Sequence, residues 1–106
     1  MVKLDEYVLD SLMRDLVGHD RRPVSYLVYL WLAAEQQRQN KPVTISYSDL
    51  AESVGVSKSS TQGAVAWLIH RKLISSTKAT VTATPNYMVQ SPWKAEHRRK
   101  APKVAT

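Results

Sequence analysis

Residues 56–67 read VSKSSTQGAVAW. Within them Ser57, Lys58, Ser59, Ser60, Thr61 and Gln62 gather hydroxyl, ammonium and amide groups, and Gly63 follows at once. These weak helix formers stand at the front of AVAWLIHRKLI, a strong amphipathic helical pattern. Such side chains donate hydrogen bonds and one positive charge; they do not make a nucleophile with its base. The rest of the chain is equally poor in catalytic sets. There is no cysteine, which excludes disulfides and thiolate chemistry. His19, His70 and His97 stand far apart and lack metal-ligand spacing. Asp5, Glu6, Asp10 and Asp15 alternate with apolar positions and read as the solvated side of a helix. No phosphate loop, dinucleotide fingerprint or nucleophile elbow is present. An enzyme, a cofactor, a metal site and a small-molecule ligand are therefore not expected.

The distribution of charge is more informative. The net charge is +6 over 106 residues. Residues 1–56 hold six Lys/Arg against eight Asp/Glu, net −2, and residues 57–106 hold nine Lys/Arg against Glu96 alone, net +8. A split of that size makes the C-terminal half a candidate partner for a polyanion, most often nucleic acid. The length allows one core and one domain. No apolar run approaches the length of a membrane span, and the start MVKLDEYVLD lacks the apolar stretch of a secretory signal, so a cytoplasmic protein is expected.

Helical spacing over residues 4–17 places Leu4, Val8, Leu9, Leu12, Met13, Leu16 and Val17 on one side, with Gly18 as the stop. A second helix over about 23–39 opens at Pro23 and carries Val24, Leu27, Val28, Leu30, Trp31, Leu32 and Ala34 on more than one stripe, which predicts burial on two sides. VTIS is a short β-type run. Ser46 then stands three residues before Asp49, the spacing of a capping box, with the Asp49 carboxylate reaching back and complementing the helix dipole. That helix runs about 48–54 and stops at Gly55, which suits a left-handed backbone. Val56 anchors the turn, Ser57 caps the next helix, and that helix runs about 58–71 with Thr61, Ala64, Val65 and Leu68 facing inward. Leu73 and Ile74 open a strand, a turn lies near Lys78–Thr80, and YMVQ returns, making a β-hairpin.

The segment SYSDLAESVGVSKSSTQGAVAWLIHRKLI, Ser46 to Ile74, resembles the DNA-reading segment of bacterial winged-helix regulators of the MarR and GntR type. The shared pattern is a Ser cap, an acid three residues on, Leu-Ala, an apolar-Gly-apolar turn, Ser, a basic residue and an amphipathic helix ending in Leu-Ile. Thr61 stands where Val or Ile is usual, Lys72 where Gly commonly precedes Leu-Ile, and Trp67 and Ile69 at positions usually charged. The resemblance implies a mainly α (α+β) fold, a winged helix-turn-helix with a small C-terminal hairpin wing. Residues 1–91 form that domain with an extra N-terminal helix, and 92–106 form a basic tail.

The function implied is sequence-specific binding of double-stranded DNA, in a transcriptional regulator, with helix 58–71 in the major groove. Lys58, Ser59, Ser60, Gln62 and Gly63 then meet the DNA, Gln62 suited to adenine, and His70 neighbours a phosphate or is simply exposed. Lys78 and Thr80 sit at the wing tip. Arg98, Arg99, Lys100 and Lys103, with Lys94, either add backbone contacts or are solvated. Ser59, Gly63 and Ala66 make a low outward ridge that lets the helix sit deep in a groove. A single winged helix covers few base pairs, so a homodimer is expected, through the N-terminal helix or through the Trp67 and Ile69 flank. Two other roles fit the same module: a plasmid- or phage-type replication initiator domain, and a winged helix used for protein interaction.

Overall fold

A computed structural model of the chain describes residues 1–78, 80 and 83–93. After an N-terminal helical segment come α1 (Pro23–Gln39), β1 (Val43–Thr44), α2 (Tyr47–Val54), α3 (Lys58–His70), β2 (Ile74–Thr77) and β3 (Asn86–Val89). The strands form one antiparallel sheet in the order β1-β3-β2. Val43 pairs with Tyr87, and Ile74 pairs with Val89. Two helices joined by a tight turn and followed by a hairpin, whose returning strand is tied back to a strand before the turn, make a winged helix-turn-helix.

Local chemistry accounts for the helix ends. Proline occupies the first position of α1, where its missing N–H leaves nothing unpaired, and Asn40 ends the helix in the left-handed region at φ 54. Ser46 caps α2 by accepting from the Asp49 N–H at 3.1 Å. The reciprocal bond to the Asp49 carboxylate is absent among the described residues, since Asp is one methylene shorter than the Glu that closes this box. Gly55, at φ 90, closes α2, and the Val56 N–H reaches the Ala51 carbonyl at 3.0 Å. Ser57 caps α3 in turn, accepting from the Ser60 N–H at 3.1 Å. Thr61 is fully buried and donates its hydroxyl to the Ser57 carbonyl at 2.9 Å, so its methyl packs as Val would while its oxygen stays satisfied. At the other end Lys72 holds φ 60, and the Leu73 N–H returns to the Leu68 carbonyl at 2.9 Å. A lysine in the left-handed region costs about 1–2 kcal/mol, the reason glycine suits this position better.

α1 is the spine of the core. Tyr26, Val28, Tyr29 and Leu32 are buried with Leu50, Ala64, Val65, Leu68, Leu73, Ile74 and Tyr87. Buried Ser25 donates to the Ala64 carbonyl at 3.2 Å, so two small residues mark where α1 and α3 approach closely. Burial on two sides of α1 holds with one correction: Leu27 is 46% exposed, because no element packs over its part of the helix surface as closely as over Tyr26 and Val28.

The N-terminal segment departs from its expected bounds. It is helical over Val8–Leu12 and Arg14–His19 in wide π-type turns. It starts later than residue 4, because the Lys3 backbone is bound by the Gln37 amide on both sides, at 2.7 and 2.6 Å. It also runs through Gly18; the chain turns instead at Arg21, with φ 55. Val8, Leu12 and Leu16, four residues apart, enter the core as one stripe while Leu9, Met13 and Val17 stay exposed as the next. The Tyr26 hydroxyl ties the segment down by donating to the Val8 carbonyl at 2.8 Å. Trp93, the last described residue, stacks on Tyr7 with ring centres 4.6 Å apart.

Candidate nucleic-acid interface

The outward side of α3 carries Lys58, Ser59, Gln62, Ala66, Ile69 and His70, all exposed. Gln62 makes no hydrogen bond among the described residues, and Lys58 has no ion pair there. Both probes are therefore available at the surface. Ser59 and Ser60 are partly engaged: the Ser57 hydroxyl donates to the Ser60 hydroxyl at 2.8 Å, and Ser59 Oγ lies 3.3 Å from Ser57 Oγ. Ser60 accepts in this chain, so its own proton is left to point elsewhere. No Asp or Glu lies between Ser57 and Trp93, so nothing in α3 opposes an anion.

Gly63 is half-buried and lies where α3 faces the start of α1. Lys58 to Gly63 thus form one cluster over the first turns. His70 does not join it: seven residues beyond Gly63, it lies about 10 Å further along the axis at 1.5 Å per residue, and on the last turn of the helix. Its ring stands 5.3 Å from that of Trp67 instead. Lys78 and Thr80 are exposed in the segment joining β2 and β3, remote in sequence from the helix cluster. Arg98, Arg99 and Lys100, with Lys94 and Lys103, lie outside the described residues.

Two features of this region have no counterpart in the sequence expectations. The first is a groove of about 290 Å³ between α1 and α3, lined by Arg21, Arg22, Pro23, Val24 and Ser25 on one side and by Ser59, Ser60, Gly63 and Ala64 on the other. Both arginines are exposed and neither makes a salt bridge among the described residues. Two cations of the acidic half of the chain therefore stand beside the helix start. The signal was present as Arg-Arg-Pro, since a proline at the first helical position puts the residues before it at the positive end of that helix.

The second feature is a cluster centred on Asp20, whose side chain is only 4% exposed. Its carboxylate accepts from Trp67 Nε1 at 3.0 Å and from the Arg71 guanidinium, and pairs with His19 Nδ1 at 2.9 Å. Arg71 also lies 3.7 Å from Asp15. Burial on its own would raise the Asp20 pKa. The hydrogen bonds from His19 and Trp67 and the charges of Arg71 and His19 outweigh it and hold the carboxyl below its ordinary value. Asp20 thereby explains why α3 has Trp67 and Arg71 on its flank: they join the helix to the turn after the N-terminal segment. Ile69 stays uncovered, 41% exposed.

No family model matches the chain, and no curated protein matches it. No helix among the described residues is long and apolar enough to cross a membrane. Among solved structures, the chain is similar to the adhesin competence repressor of Streptococcus pyogenes, at 21% identity over 89% of this chain and 70% of that chain, with a TM-score of 0.46.

Proposed function

We propose that the chain binds double-stranded DNA sequence-specifically and acts as a transcriptional regulator, with α3 in the major groove. One observation carries the reading: the first turns of α3 present Lys58, Ser59 and Gln62 outward on an acid-free, low-profiled surface, beside Arg21 and Arg22, which have no acidic partner among the described residues. A helix start of that composition meets base edges and phosphates together. The test is fluorescence anisotropy with duplex DNA across a salt series. Each phosphate contact contributes close to one unit of log–log slope. Gln62→Ala is expected to reduce discrimination between sites by roughly 1–3 kcal/mol. A flat salt response, or no binding at low salt, would sink the reading.

The same reading favours a homodimer through the N-terminal segment. Leu9, Met13 and Val17 form an exposed apolar stripe, flanked by Asp10 and Arg14. An antiparallel pairing centred on Met13 sets Leu9 against the partner's Val17, and Asp10 beside the partner's Arg14. That patch is self-complementary, as a two-fold contact requires. The Trp67 flank suits a partner less, since its indole edge is taken by Asp20 and its face by Arg22, 4.8 Å from the ring centre. Met13→Asp is expected to convert dimer to monomer in sedimentation analysis. A wild-type chain that stays monomeric at concentrations near 100 times the DNA-binding Kd contradicts the dimer.

A further inference from the structure

We propose that the groove between α1 and α3 is a seat for a backbone phosphodiester of the bound duplex, and that Arg22 is its leading contact, held in place by Trp67 and Asp20. The inference rests on the DNA-binding reading and adds a site and a positioning device to it.

Three observations converge. First, Arg21 and Arg22 reach the groove from one side, while Ser59, Ser60 and Gly63 line it from the other. Two arginines on one wall and two serines on the other make a set whose donors suit phosphate oxygens: planar forks for bidentate bonds, and short hydroxyls. Second, neither arginine has an acidic partner among the described residues, whereas Arg71, one turn beyond Trp67 along α3, is taken up by Asp20 and Asp15. The acids at this end of the molecule therefore spend their charge on Arg71 and leave the groove cationic. Third, Arg22 is not a loose surface side chain. Its guanidinium rests over the Trp67 ring, 4.8 Å from the centre. The indole under it is fixed by the bond from Nε1 to the buried Asp20 carboxylate.

The stack has a functional consequence. A free arginine side chain loses considerable rotamer freedom on binding. Arg22 has given up part of it already, because the ring holds its cation by cation–π attraction at the side of the groove. Ser60, Gly63 and Trp67 follow one another along one side of α3 at helical spacing; Arg22 lines the groove with the first two and rests on the third. Asp20 touches no phosphate in this arrangement. It is a positioning residue, acting through the indole.

The test uses the full chain, duplex DNA and anisotropy across roughly 50–200 mM salt, a range over which one phosphate contact changes affinity about fourfold. Arg22→Ala is expected to weaken binding severalfold on all sequences alike and to lower the log–log slope by about one unit. Arg22→Lys, which keeps the charge, is expected to restore the slope. Trp67→Leu is expected to weaken binding in the wild-type background and to add little to Arg22→Ala, since both act on one contact. Thermal unfolding of each variant runs alongside; a role confined to folding lowers the melting temperature without moving the slope. An unchanged slope for Arg22→Ala, in a chain that binds DNA normally, overturns the phosphate seat and leaves the DNA-binding reading standing. Full additivity of Trp67→Leu and Arg22→Ala overturns the positioning role. A wild-type chain that binds no DNA at all overturns the reading beneath both.

Discussion

Asp20→Ala is expected to lower the unfolding free energy by roughly 2–3 kcal/mol, the largest loss among the polar side chains described. The carboxylate is 4% exposed and satisfies the Trp67 indole N–H and the Arg71 guanidinium together. Its removal leaves the half-buried N–H without an acceptor and leaves Arg71 with only Asp15, at 3.7 Å. Because the Arg71 side chain is 32% exposed, water recovers part of its charge, which keeps the loss below that of a fully buried pair. Asp20→Asn keeps an acceptor for Trp67 but not the charge, and an intermediate loss is expected. Urea unfolding reads both as a shift of midpoint at constant slope.

The pH dependence has a definite sign. The folded pKa of Asp20 lies below its unfolded value, so its contribution is complete above about pH 4–5 and is lost as pH falls through the folded pKa. The difference between wild type and Asp20→Ala is therefore constant near neutrality and shrinks in acid. A difference that persists undiminished at the acid end would show that Asp20 stabilises by packing rather than by charge.

Gly63→Arg is expected to lose sequence-specific affinity by tenfold or more, about 1.4 kcal/mol, despite the added cation. Gly63→Ala isolates what the glycine does. Gly63 lies in the middle of α3 with ordinary helical backbone, and a Cβ built there meets nothing within 4 Å. Glycine at such a position costs a helix roughly 0.5–1 kcal/mol relative to alanine. The free domain should thus become more stable when Gly63 is changed to Ala, and nothing within it requires the glycine. What the glycine does supply is low relief between Ser59, Ser60 and the paired arginines. A long side chain at position 63 fills that groove and holds α3 away from the duplex. Competition between specific and unrelated duplexes separates the effects: specific affinity should fall while low-salt, unspecific binding holds or rises. Gly63→Arg tightening both alike would mean that the helix does not seat closely along this face.

Much of the domain was legible because its signals are local. Ser46, Gly55 and Ser57 satisfy or redirect backbone groups within five residues of themselves, and α2 and α3 fall within a residue of their expected bounds. Thr61, Ala64, Val65 and Leu68 turn inward as helical periodicity requires. The hairpin strands were also placed, though their register was not, because Ser75, Ser76 and Thr77 alternate too weakly to choose a face. The charge split was legible as a number, but not where its charges sit. Five of the nine cations of residues 57–106 lie outside the described residues, and Arg71 is neutralised by Asp20, while the two arginines at the groove, without an acidic partner among the described residues, come from the acidic half.

The sequence by itself determined the caps, the turn, the inward stripe of α3 and the identity of its outward side chains. These depend on bonds and periodicities that close within a few residues. Only the tertiary structure decided what covers Trp67, where the N-terminal segment ends, and which cations stand beside Gly63. Trp67 and Asp20 are separated by 47 positions, and Arg71 and Asp20 by 51. No pattern of spacing announces such a pair; it exists because α1 crosses α3 at Ser25 and Ala64, which brings the turn before α1 onto the flank of α3.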